Sequence, residues 1–222
     1  MLQVLKAGGE SLLSLLEEPT TLTLAAGLLG LDENDDARVG RGGGVSELRI
    51  EAVGMGDTLT LDEMQLDGPQ QGAQLHWHSD TGSKLAFRTA IDPQGAKSEN
   101  AALRVLPGSH LRSYEEVAEE IDRLNPSTKG KVYSDHPAEV EVALDRASTL
   151  IWNPTTWHAT GKQRTPTARR AFGWNYGVRQ RGTRLRDVAA LKYVFAGEWE
   201  QWPQERQRLW GLLDDLESMP RL

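Results

Sequence analysis

The sequence predicts a mainly β protein, a sandwich or jelly roll with helices at its flanks, and two observations carry that expectation. From residue 46 onward short runs rich in strand-forming residues succeed one another, with turn residues between most of them. The chain of 222 residues can bury a sizeable core, and all-β sandwiches of this size commonly fold as one unit. A single domain over residues 1–222 is therefore expected, with a β core at about 46–180 and helical segments at both ends.

Taken in order, residues 9–18 read as a short amphipathic helix, with Leu12, Leu13, Leu15 and Leu16 on one side before Pro19. Residues 31–44, charged and then glycine-rich, show no periodicity that could bury a face and read as a mobile loop. Its glycines do not form the dinucleotide fingerprint, because Val45 stands where the last glycine belongs and strand-like residues follow. The β-like runs are Leu48 to Val53, Thr58 to Leu61, Leu75 to Asp80, Leu85 to Ile91, Ala102 to Leu106, Val140 to Leu144, Thr149 to Trp152 and Arg170 to Val178. Two sheets built from such runs can bring residues distant in sequence into one mouth. Residues 113–124 read as a helix capped by Ser113, with Glu116 as its capping-box partner, and a further helix is expected at 203–217.

Twenty-five Lys and Arg against 32 Asp and Glu leave a net charge of −7, which argues against general attraction to nucleic acid or anionic membranes and favours a small-molecule substrate. There is no cysteine, hence no disulfide framework, thiolate metal site or cysteine nucleophile. No basic and apolar leader and no stretch of about eighteen apolar residues is present, so a cytoplasmic location is expected. Oligomeric state is not legible.

The chemistry concentrates in His78-Ser79-Asp80, followed much later by His158 and Arg169. On an extended strand, residues two apart share a face, so His78 and Asp80 can present an imidazole and a carboxylate to one ion. A second histidine from a distant strand completes the two-His-one-carboxylate facial triad of non-haem Fe(II) oxygenases, with positions left open for other ligands.

Around these residues the motifs become specific. Trp77-His78-Ser79-Asp80, Ala90-Ile91-Asp92, and Glu99-Asn100-Ala101-Ala102-Leu103 leading into Leu106-Pro107-Gly108-Ser109-His110 occur in that order, followed by Trp157-His158-Ala159-Thr160-Gly161 and Arg169-Arg170. Over roughly residues 75–178 the chain resembles the phytanoyl-CoA dioxygenase family of Fe(II)/2-oxoglutarate oxygenases. Ser79 stands where many members have Gln, Ala101 where Gly is usual, and Gln163 and Thr165 where Asn and Ser are commoner. The resemblance implies a double-stranded β-helix, the cupin-like jelly roll, with Fe(II) held by His78, Asp80 and His158. It implies 2-oxoglutarate anchored by Arg169 with help from the Thr160 hydroxyl, and O2 as oxidant. A planar guanidinium grips the remote carboxylate through two parallel hydrogen bonds. The implied reaction is hydroxylation with release of succinate and CO2; the resemblance does not identify the substrate, for which a small polar metabolite, amino-acid-like or a natural-product intermediate, is expected. Retention of Asp80 argues against halogenation, since halogenases of this type lose that carboxylate.

Competing readings attach to individual residues. His76 shares the face of His78 and, with it, imitates the H-x-H of cupins, an alternative that lacks the expected downstream Glu; otherwise it lies beside the substrate or is structural. His110 reads as structural and His136, in a polar, proline-flanked segment, as exposed. Trp152 and Trp157 flank His158 and are expected to wall the pocket, whereas Trp199, Trp202 and Trp210 are expected to pack the C-terminal segment. The eight basic residues between Lys162 and Arg186 read mostly as a solvated face. A nucleophile elbow, a zinc helix and a phosphate loop are all missing. A non-enzymatic jelly-roll binding module is the remaining alternative, and it leaves the set of His78, Asp80, His158 and Arg169 unexplained.

Overall fold

A computed structural model describes residues 11, 14–29, 58–67, 69–80, 84–90, 94–128, 130–167, 169–179 and 192–212. Within strands 58–67 and 84–90, and at 178–179, the description is of the backbone alone. The described elements are α1 (Pro19–Leu28), β1 (Thr58–Asp67), β2 (Lys84–Ala90), β3 (Leu103–Val105), α2 (Tyr114–Leu124), β4 (Val140–Val142), β5 (Thr149–Trp152), β6 (His158–Thr160), β7 (Ala171–Arg179) and α3 (Gln204–Leu209). Their strands belong to two sheets, the mainly β, jelly-roll class with helical flanks that the sequence predicts. The chain divides into two compact units, Met1–Met64 with Ser83–Leu85 and Trp174–Leu222, and Gln65–Gly82 with Ala86–Gly173. The expected strand at 48–53 and the loop at 31–44 lie outside the described residues.

In the first unit β1 lies beside β7. Helical residues 14–16 give way to a turn before Pro19, as the sequence predicts, and Pro19 then opens a second helix. It occupies the first turn of α1, where a missing N–H costs nothing, and the Glu18 carboxylate caps the helix by accepting from Thr20 N at 3.0 Å and Thr21 N at 2.6 Å. Those donors hold the Glu18 carboxyl down to about 2. Leu16 is fully buried, and its carbonyl accepts the buried Tyr176 hydroxyl, whose ionisation burial pushes above its ordinary range. At the other terminus Phe195, Trp202 and Trp210 pack ring on ring, with centroids 4.8 to 5.9 Å apart. Helix α3 stops at Leu209 because Gly211 takes a positive φ of 65°. The expected extension to 217 runs past the described residues.

The second unit carries the candidate site. Strand β2 pairs antiparallel with β5, from Ala86 opposite Trp152 to Thr89 opposite Thr149. A second sheet runs β4-β3-β6, all antiparallel, with Val105 opposite both Val140 and His158, and Leu103 opposite both Val142 and Thr160. Residues 75–80, expected as a strand, make only an isolated pairing: His78 N donates to His158 O at 3.0 Å and His158 N to His78 O at 2.8 Å. The ladder breaks there because the Leu75 N–H goes to the Thr160 hydroxyl at 2.8 Å and the Trp77 N–H turns to Val132 O at 2.9 Å.

Alternation sorts these segments into two faces. Trp77, Trp157 and Ala159 point back into a core with Leu106 and Val132, which Val117 and Ile121 of α2 complete. The capping box expected for α2 is present, with Ser113 Oγ accepting from Glu116 N and the Glu116 carboxylate accepting from Ser113 N. The opposite face is left to His78, His158 and Thr160.

The family-like motifs act here as scaffolding. Asn100 is buried, and its side chain accepts from Lys97 N and donates to Gly95 O, which fixes the turn that enters β3. Ala101 sits at φ 65°, the left-handed region where glycine is the residue without strain, which accounts for the glycine usual at this place in the resemblance. After β3, Leu106 N donates to Trp157 O at 2.9 Å and Trp157 N donates to Ser109 Oγ at 2.8 Å. The Leu-Pro-Gly-Ser-His segment thus holds the residue that precedes His158.

Candidate metal centre

His78, Asp80 and His158 come together, each offering a ligand atom, with all three atoms within 4.8 Å of one another. The two imidazole centroids are 4.2 Å apart, and His78 Nε2 lies 3.9 Å from Asp80 Oδ1. Each segment is fixed from behind. Asp80 N donates to Pro154 O at 3.0 Å, and Ser79 donates its hydroxyl to Thr155 O at 2.8 Å, so the residue standing in place of the usual Gln ties the ligand segment to the 153–156 turn. Asn153 closes that turn, its Oδ1 accepting from the Thr155 N–H and hydroxyl.

Hydrogen bonding decides which ring nitrogens face the centre. His78 Nδ1 lies 2.9 Å from His76 O, and His158 Nδ1 lies 2.8 Å from Thr156 O. A carbonyl only accepts, so each Nδ1 carries a hydrogen and the neutral ring offers Nε2 as its ligand atom. This is the arrangement by which backbone carbonyls orient metal-binding histidines.

Around the triad, the Thr160 hydroxyl oxygen is occupied by Leu75 N–H, which leaves its own O–H to donate. Arg169 is 2 % exposed while its neighbour Arg170 lies on the surface. Gln163, fully buried, organises the approach to Arg169 by donating to Thr165 Oγ1 and Thr167 O, each at 2.7 Å. Trp152 meets His158 edge to face at 6.2 Å. His76 lies with its ring centroid 5.7 Å from that of His78 and is not among the three grouped ligands. Burial, then the charges of His78 and Lys131, lower its proton affinity below the histidine norm.

Two expectations need correction. Trp157 does not wall the site, because strand alternation turns it into the core when His158 faces the ligands. His136 is buried, not exposed: its Nδ1 accepts from Ala138 N at 3.1 Å and its Nε2 donates to Glu120 of α2 at 2.9 Å, so two satisfied ring nitrogens allow a polar residue inside. Missed by the sequence reading is Arg104, 3 % exposed, which stacks 5.0 Å from the Trp77 ring and pairs with Asp135 at 2.6 Å and Glu139 at 3.4 Å. Nothing in an LRV strand signals that role. Of the basic stretch, Lys162, Arg164 and Arg170 are exposed as a solvated face requires. His110 accepts from or donates to the Thr156 hydroxyl at 3.4 Å.

Residues 48–171 match the family model described as phytanoyl-CoA dioxygenase. A comparison with curated proteins returns no match. Among solved structures, HygX from Streptomyces hygroscopicus is similar at 18% identity over 54% of this chain and 58% of its own, with a TM-score of 0.44; HygX has been crystallised with iron, and with nickel and 2-oxoglutarate. SnoN, a non-heme alpha ketoglutarate dependent epimerase from nogalamycin biosynthesis, is 15% identical over 77% of this chain and 59% of its own at a TM-score of 0.48. EctD from S. alaskensis, crystallised with 2-oxoglutarate and 5-hydroxyectoine, is 18% identical over 55% and 45% at 0.41. The chain spans less than two thirds of the length of each of these proteins. No helix among the described residues is long and apolar enough to cross a membrane.

Proposed function

The chain belongs to the phytanoyl-CoA dioxygenase family, and on that premise we propose that it is an Fe(II)- and 2-oxoglutarate-dependent oxygenase that hydroxylates a small-molecule metabolite. The observation that carries the reading is the pair of Nδ1–H bonds to His76 O and Thr156 O, which aim two imidazole lone pairs at the space Asp80 borders. The donor set fits the ion: two neutral nitrogens, one carboxylate and no thiolate suit divalent iron, and three protein ligands leave room for a chelating oxoacid. When bound, iron and 2-oxoglutarate supply the oxidising power for C–H attack, with O2 consumed and succinate and CO2 released.

The protein's part is placement. His78 and His158 hold the ion from adjacent backbone positions locked by reciprocal hydrogen bonds, and Asp80 offsets its charge. Arg169, buried on the strand-entry segment, anchors the remote carboxylate by its planar fork, and the Thr160 O–H donates to the same group. Trp152 meets His158 edge to face on that flank. Anaerobic addition of Fe(II) and then 2-oxoglutarate should produce the weak visible charge-transfer band of a chelated oxoacid. Tight iron binding without the band would overturn 2-oxoglutarate as co-substrate.

A further inference from the structure

One flank of the centre is furnished with polar side chains that iron and 2-oxoglutarate do not use. Segment 131–133 runs alongside 76–77, held by Trp77 N to Val132 O at 2.9 Å and by the Trp77 indole N–H to Ser134 O at 3.0 Å. Trp77 and Val132 both turn into the core, so their sequence neighbours His76, Lys131 and Tyr133 take the other side, the side on which His78 meets the ligand group. The rings of His76 and Tyr133 meet edge to face at 6.0 Å, and Tyr133 is 40% exposed.

This exposed segment is braced from beneath. The Tyr133 carbonyl accepts from Arg104 at 3.2 Å and from the Gln74 amide at 3.1 Å, and Arg104 is itself buried, stacked on Trp77 and paired with Asp135 and Glu139. A buried guanidinium committed to a surface tyrosine's backbone gives the phenol a fixed place beside the centre. An imidazole, a phenol and an ammonium in one row offer three donor groups and one permanent positive charge, while the nearby Asp135 carboxylate is paired with Arg104 at 2.6 Å.

Resting on the oxygenase reading, we infer that His76, Tyr133 and Lys131 form a substrate-orienting subsite for an oxyanion, a carboxylate or phosphate carried by the molecule that is hydroxylated. Gripping that group fixes the distance from the anion to the carbon presented to the iron, so it governs which C–H bond is attacked.

The test uses the full chain with 15N-labelled histidine, loaded with diamagnetic Zn(II) and 2-oxoglutarate so that the Arg169 position is filled, and titrated separately with inorganic phosphate and with acetate. The His76 ring signals should shift saturably with at least one anion, and the half-saturation concentration should rise at least about fivefold in Lys131→Ala and in Tyr133→Phe. A response to phosphate alone assigns phosphate esters as substrates; a response to acetate alone assigns carboxylates. A flat His76 response to both anions, or one unchanged in both variants, would overturn the subsite. The titrations are repeated without metal, so that identical His78 and His158 signals with and without Zn(II) count against the metal reading and leave the anion result to stand by itself.

Discussion

The corner around His136 and the paired segments around His78 and His158 use the same side chain in opposite tautomers. At His136 the Nδ1 atom meets a backbone N–H, from Ala138, and is forced to accept, so the hydrogen sits on Nε2 and goes to Glu120. At His78 and His158 the Nδ1 atom meets a carbonyl two residues back and is forced to donate, so Nε2 is the nitrogen the neutral ring offers as a ligand. The first histidine ends as a strut between α2 and the 135–139 turn, and the other two end as lone pairs facing a shared space. What the backbone offers to Nδ1 separates a structural histidine from a ligand.

The largest effect should come from removing the anionic member on the ligand side. Asp80→Ala is expected to weaken Fe(II) binding by more than about 100-fold and abolish succinate formation, because loss of a ligand costs more than the 10–100-fold typical of its supports. Calorimetric titration with iron checks it, and wild-type affinity would remove Asp80 from the set. Next, Arg169→Lys keeps the charge and loses the fork, so the apparent KM for 2-oxoglutarate should rise about tenfold or more while iron affinity holds; Arg170→Lys, on the surface, should change it less than about twofold. The reverse pattern would show the wrong arginine facing the co-substrate.

His136→Ala breaks the comparison from the other side. It should lower unfolding free energy by about 1–3 kcal/mol, since the Ala138 N–H and one oxygen of Glu120 lose their partner, and leave the Fe(II) affinity of the folded protein unchanged. A parallel fall in iron affinity would mean the two corners are not separate. The strut should also be acid-sensitive. The Arg112 guanidinium, then His136, hold the Glu120 carboxyl below its ordinary 4.5. Its stabilisation is therefore complete above pH 4.5 and lost as pH falls through the lower folded value, and Glu120→Gln should flatten that part of the urea-midpoint profile. The smallest effect is a gain: Ala101→Gly relieves a left-handed alanine and should add about 0.5–1 kcal/mol to stability after the entropic cost of glycine. A loss there would mean the turn before β3 is not strained.

The sequence exposed what depends on local order and hid what depends on partners. Strand β5 and helix α2 matched their expected spans because a β-branched run and a capping box are local signals. His78, Asp80 and His158 were legible from their types and spacing. Strand β6 went unseen because three residues are too few to show alternation, and its pairing comes from β3 and His78. The helix before Pro19 ends where expected, and what went unseen is that Pro19 opens α1, capped by the Glu18 carboxylate that precedes it. The burial of His136 and Arg104 depends on Glu120, Asp135 and Glu139, partners that no periodicity around either residue reveals.

The reciprocal bonds between His78 and His158 join positions 80 residues apart. Closing so long a segment carries an entropic cost that grows with the logarithm of its length and is set against two hydrogen bonds. An ion shared by both histidines works as a removable cross-link on that closure, and its contribution scales with the free concentration of the metal. Metal supply would then bear on the stability of this seam as well as on turnover.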